Sequence, residues 1–159
     1  MDIIGHGGDP QIGNLATPVN SSGFTLTFIR NLPAYRKGLS PNRRGLEVGM
    51  THGYFLYGPF ALLGPLRNSE YASTAGLLAS VALVAILTIA VSMYAFVGVS
   101  APTTTLTTPD VPEDLGTSEG WGEFANGFFI GGCGGAFFAY LLSQSPYMSL
   151  IQDVLSKVG

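Results

Sequence analysis

Two ionisable side chains stand where an apolar segment begins: Glu47 at the mouth of the run Val48 to Leu66, and His52 inside it. Ionisable groups at membrane depth are costly to hold, so they are functional candidates by default. Five residues apart on a helix, they point about 140° from each other and are separated by about 7.5 Å along the axis, too far to converge on one ion. They suit two separate ligands that each need a single axial donor, such as the magnesium of a chlorin, which takes a neutral imidazole nitrogen or a carboxylate oxygen at its open face. Arg43 and Arg44, four and three residues before Glu47, make a carboxylate tolerable there. Taken alone, Glu47 reads first as half of an interfacial Arg–Glu ion pair. His52 leaves two readings open, a ligand or a histidine hydrogen-bonded between helices.

The elements that must position these groups are helices in a bilayer. Only 11% of the 159 residues are charged and 47% are hydrophobic, where soluble domains carry roughly 25% charged residues. We expect an all-α membrane protein with three transmembrane helices, at 45–66, 73–99 and 122–144, and an extended N-terminal arm over 1–44. Val48 to Leu66 is 19 residues, enough at about 1.5 Å each for a hydrocarbon core of about 30 Å. Gly64-Pro65 ends it, and Gly58-Pro59 predicts a bend. A polar turn at 67–72 follows. From Tyr71 to Pro109 no charged residue occurs, and 75–99 is apolar on all faces. A threonine-, proline- and acid-rich loop occupies 100–121, Trp121 opens the third span as an interfacial aromatic, and a tail at 145–159 carries a short amphipathic piece, Met148 to Leu155.

Charge placement gives topology. Five of the seven basic residues, Arg30, Arg36, Lys37, Arg43 and Arg44, precede the first span, so the N-terminus faces the untranslocated side and three spans put the C-terminus opposite. The net charge of -3 and this localised cluster point away from nucleic acid. The arm is polar and Gly-rich, with only Phe24 to Ile29 alternating. It reads either as an extended segment gripping a partner or as a loose tail. His6 sits among its glycines as a surface histidine. The single cysteine, Cys133, allows no intrachain disulfide, and no cleavable leader is recognisable after Met1.

In the third span Gly127, Gly131 and Gly135 recur every four residues, continued by Ala139 and Ser143 and widened by Gly132 and Ala136. Such rows let backbones approach closely in lipid, where association rests on packing, so this helix has a close neighbour. Phe128, Phe129, Phe137 and Phe138 bracket the row. A bis-histidine haem needs a second membrane histidine, and an ion path needs several intramembrane carboxylates or histidines; the second span has none, and the third has none from Phe124 to Ser143. No phosphate loop, Ser/His/Asp set or Cys/His spacing occurs. We expect no enzyme.

The run NLPAYRKGLSPNRRGLEVGMTHGYFLYGPFALLGPLR (31–67), with GDP at 8–10 and GWGEFANGFFIGGCGGAFFAY at 120–140, resembles photosystem I reaction centre subunit XI, the PsaL family, over most of the chain. The resemblance implies a three-helix thylakoid subunit, N-terminus stromal or cytoplasmic and C-terminus lumenal. It would hold antenna chlorophyll a and beta-carotene and join photosystem I monomers into a trimer or tetramer. The implied partners are the photosystem I core and small membrane subunits, lipids, and copies of the chain in neighbouring monomers. The family's chlorophyll-binding Glu and His fall on Glu47 and His52. Its calcium-associated turn falls on Pro65 to Asn68, with the Pro65 carbonyl and position 68 as donors. Asn68 departs from the family's usual Asp, and fewer carboxylates mean weaker calcium binding. The alternatives are a pigment-free scaffold joining monomers and, more distantly, a subunit of a small transporter.

Overall fold

The computed structural model describes residues 3–4, 14–98, 104–105, 108 and 110–147. His6, the GDP motif and the amphipathic piece at 148–155 lie outside the described residues. A two-residue antiparallel ladder pairs β1 (Ile3–Ile4) with β2 (Asn14–Leu15). The other elements among the described residues are helices: α1 (Pro18–Ser21), α2 (Gly23–Asn31), α3 (Pro41–Leu63), α4 (Ala72–Val97), a 3-10 helix (Glu113–Gly116) and α5 (Ser118–Ser143).

The arm is therefore not extended between residues 18 and 31, as the alternation of Phe24 to Ile29 suggested. The Ser22 hydroxyl accepts the Thr25 amide at 3.2 Å and starts α2. Once the segment is helical, Phe24 and Phe28 fall four residues apart on one exposed face, 83% and 59% accessible.

α3 begins at Pro41, ahead of the apolar run. Ser40 accepts the Arg43 amide at 3.4 Å, and Pro41 occupies the first turn, where a missing N–H costs nothing. The helix runs through Pro59 and stops at Leu63 before Gly64-Pro65. α4 ends at Gly98, whose φ of 63° is a left-handed cap that favours glycine. α5 starts at Ser118, where Thr117 accepts the Gly120 amide at 3.0 Å, a full turn before the apolar stretch. Trp121 is accordingly inside the helix, not only at its entrance. Its indole N–H donates to the Leu115 carbonyl at 2.7 Å and its ring stacks on Tyr94 at 4.9 Å.

Two helices, α4 and α5, are long and apolar enough to cross a membrane. α3 carries Arg43, Arg44 and Glu47 in its first two turns and is less apolar. Yet α3 and α5 make the closest contact in the molecule, because each lays a glycine row on the other's backbone. A Cβ at Gly45, Gly49 or Gly53 would collide with the carbonyl oxygen of Phe124, Phe128 or Gly132. Conversely, a Cβ at Gly127, Gly131 or Gly135 would collide with that of Asn42, Leu46 or Met50. Both series advance by four together, so the two helices run parallel and in register. The contact extends from Asn42 Nδ2, 3.3 Å from the Glu123 carbonyl, to Tyr57, whose hydroxyl donates to Ser143 Oγ at 2.6 Å. The α5 row was visible in the sequence; its partner row on α3 is what the structure adds.

α4 completes the bundle. Ser80 and Val84 are fully buried. Val84 sits over Gly132, where an added Cβ would come within 2.5 Å of a valine methyl, and Gly76 meets Ala61. Leu78, Ile86, Ile89, Met93 and Phe96 remain exposed on the outer face of α4.

Candidate functional site

His52 lies on α3 with an exposed side chain. Its Nδ1 is 2.8 Å from the Val48 carbonyl one turn earlier. A carbonyl only accepts, so Nδ1 is the donor, and in the neutral imidazole Nε2 is then the nitrogen with the lone pair. Phe128 packs against the imidazole with ring centroids 5.4 Å apart in an edge-on arrangement. The ring is thus fixed in tautomer and in tilt by the helix's own backbone and by α5, and Nε2 has no partner among the described residues. A ligating histidine is held in this way, its second nitrogen donating to a carbonyl or carboxylate. The donor chemistry fits a ligand with one open coordination position.

Glu47 is held differently. Arg36 Nη2 reaches both carboxylate oxygens at 2.6 Å, and Arg43 Nε lies 3.4 Å from Oε1. Arg44, expected beside Glu47, is turned away and buried, 4% accessible. Its Nη1 donates to the carbonyls of Pro33, Ala34 and Arg36 at 3.1, 3.3 and 2.7 Å, and its Nε has no partner among the described residues. Position decides this: residues three apart on a helix are neighbours along the surface, but Arg44 faces the inward side with Gly45.

A four-part chain results. Arg44 clasps the turn 33–36, that turn carries Arg36, and Arg36 and Arg43 hold Glu47. Arg36 Nη2 bonds both oxygens and Arg43 Nε adds a second bond to Oε1, so the acceptor position left open is on Oε2. The arm also meets the acidic loop at this end: Arg30 and Lys37 lie 3.6 and 3.5 Å from Asp110. Arm and loop therefore share one end of the bundle. The role of Arg36 was hidden in the sequence, where it counted only as one of a basic cluster eleven residues from Glu47.

At the opposite end, Pro65 and Asn68 sit in the exposed turn between α3 and α4. The turn is closed by Arg67 N to the Gly64 carbonyl at 3.1 Å and Ser69 N to the Leu66 carbonyl at 3.0 Å. This leaves the Pro65 carbonyl and the Asn68 side chain unused among the described residues. Two neutral oxygens fall short of the six to eight that calcium takes. No group of three His, Cys, Asp or Glu capable of holding a metal occurs among the described residues.

Two helices able to cross a bilayer, α4 and α5, packed against a third, α3, that displays the His52 imidazole, define a helical subunit of a membrane assembly. The family model for photosystem I reaction centre subunit XI matches residues 2–148. A curated protein of that name from Crocosphaera subtropica is 77% identical over 155 residues, covering 98% of this chain and 99% of that protein. Those from a Picosynechococcus species and Synechococcus elongatus are 71% and 58% identical, over 88% and 99% of this chain and 92% and 96% of their own lengths. The chain belongs to the photosystem I reaction centre subunit XI family, and it is a non-catalytic subunit of that complex.

Proposed function

We propose that this subunit holds antenna chlorophyll a on His52 and Glu47, shelters beta-carotene against its apolar helix faces, and joins copies of photosystem I into a trimer or tetramer within the thylakoid membrane. The observation that carries the pigment reading is the His52 imidazole, with Nδ1 tied to the Val48 carbonyl and Nε2 open. Bound chlorophyll supplies light absorption and passes excitation toward the reaction centre. The chain's own groups set tautomer, ring tilt and local polarity: Val48 and Phe128 at His52, Arg36 and Arg43 at Glu47.

α3 is the third span in this proposal. It runs parallel to α5 and stays in register with it from Asn42 to Tyr57, so a bilayer that encloses α5 encloses α3. Its 23 residues reach roughly 34 Å at 1.5 Å each. The arm, with its basic residues, then lies on the stromal or cytoplasmic side and the C-terminus on the lumenal side. The outer face of α4, apolar and exposed, is available to lipid, carotenoid, the photosystem I core and small membrane subunits, or a neighbouring copy. A calcium ion at the Pro65 carbonyl and Asn68 takes its remaining donors from outside this chain.

The second reading, a pigment-free scaffold, draws on Glu47, whose ion pair with Arg36 needs no ligand to explain it. Comparing wild type with His52→Leu separates the two. The pigment reading expects one chlorophyll fewer per complex at normal subunit content; unchanged pigment stoichiometry leaves only the scaffold. Deletion of the subunit should convert large chlorophyll-containing particles into monomers on a density gradient. Unchanged particles would remove both.

A further inference from the structure

We propose that Arg36 is a positioning residue for the Glu47 chlorophyll site, so that the N-terminal arm, through the turn clasped by Arg44, sets the ligand strength of that carboxylate; this rests on Glu47 ligating magnesium, as proposed above. Three observations carry it. Arg36 Nη2 lies 2.6 Å from each carboxylate oxygen, closer than Arg43 at 3.4 Å, although Arg43 is on Glu47's own helix and Arg36 is not. The backbone that carries Arg36 is fixed from beneath: its carbonyl accepts from Arg44 Nη1 at 2.7 Å, together with those of Pro33 and Ala34. The same turn is closed internally by Tyr35 N and Arg36 N, both donating to the Leu32 carbonyl at 2.9 and 2.8 Å.

A carboxylate facing a magnesium ion donates according to the negative charge left on its oxygens. A guanidinium hydrogen-bonded to both oxygens withdraws part of that charge, and it also locks the carboxylate's rotation. Arg36 therefore does two things at once: it weakens Glu47 as a donor and fixes the direction in which the position left open on Oε2 faces. His52 has no such modulator, since its ring is set by the Val48 carbonyl and by Phe128 of α5, neither of them in the arm. The two sites are built to respond differently to whatever holds the arm, and a subunit gripping residues 14–36 acts on Glu47 and not on His52.

The test uses intact photosystem I carrying Arg36→Ala, Arg36→Lys, Glu47→Leu, His52→Leu or Arg36→Ala with Glu47→Leu, each at normal subunit content. The readouts are chlorophylls per complex and the low-temperature absorption difference spectrum. Arg36→Ala is expected to shift or remove the band that Glu47→Leu removes, to leave the His52→Leu band untouched, and to add nothing in the double variant. Arg36→Lys, which keeps the charge but not the planar guanidinium, should retain the pigment with a smaller shift. A wild-type spectrum in Arg36→Ala overturns the proposal, as does a loss in the double variant beyond that of Glu47→Leu. If Glu47→Leu loses no pigment while His52→Leu does, the proposal fails and the His52 site survives. If neither loses one, the pigment reading itself fails.

Discussion

The glycine contact between α3 and α5 makes the sharpest quantitative prediction, because the same helix supplies its own control. A Cβ built on Gly131 falls 2.8 Å from the Leu46 carbonyl carbon and 3.0 Å from its Cα, and closer still to the carbonyl oxygen. Carbon atoms rest at about 3.5–4.0 Å, and what is struck is backbone, which no rotamer change can move. α3 must therefore recede by several tenths of an ångström to about 1 Å, along a seam where five other glycines also depend on close approach. Overpacking of this kind costs about 1–3 kcal/mol. Gly134, three residues on, has nothing within 4 Å of the added carbon. Gly131→Ala and Gly134→Ala share the same helix-propensity gain of about 1 kcal/mol, so their difference isolates the packing. Gly131→Ala should be less stable than Gly134→Ala by about 1–3 kcal/mol, and a difference in that range is roughly five- to 150-fold in an equilibrium ratio, at about tenfold per 1.4 kcal/mol. The assay is subunit retained per complex after graded detergent washing of membranes, with Gly131→Leu as the extreme case that should fail to incorporate. Equal retention of Gly131→Ala and Gly134→Ala, or normal incorporation of Gly131→Leu, would refute the packing reasoning.

Other outcomes follow from single contacts. Arg44→Ala removes the clasp on the Pro33, Ala34 and Arg36 carbonyls; the turn should loosen, and trypsin should cut after Lys37 several-fold faster in membranes, whereas an unchanged cleavage rate would mean the clasp is dispensable. Tyr57→Phe deletes the hydroxyl bonded to Ser143 at 2.6 Å and should lower stability by about 0.5–1.5 kcal/mol, measured as earlier loss of the subunit on heating. Asp110→Asn removes the partner of Arg30 and Lys37. Both cations are more than half exposed, so the loss should stay below about 1 kcal/mol and vanish at high salt; a large, salt-independent effect would show that the arm needs this contact to dock.

The sequence alone determined that this chain is helical and built for a bilayer, which end is basic, and that the third long helix needs a close neighbour. Those properties are written in one-dimensional quantities: the scarcity of charge, the length of apolar runs and the spacing of small residues. It also drew attention to His52 and Glu47, because an ionisable group beside an apolar run is conspicuous wherever it points. What it could not give was direction and partnership. The row Gly45, Gly49, Gly53 has the same spacing as Gly127, Gly131, Gly135, yet only the structure shows the two rows facing each other in parallel. Arg44 lies nearer to Glu47 in sequence than Arg36 does, but the bundle turns it inward to hold the arm's carbonyls. Arg36 then arrives from eleven residues away to take the carboxylate. The arm, polar and Gly-rich, suggested an extended segment or a loose tail, and local caps at Thr17 and Ser22 fold residues 18–31 into helices instead. Helix formation and hydropathy are local and survive in the order of residues; which side chain meets which is decided by the rotation of each helix about its axis, and that is fixed only when backbones pack.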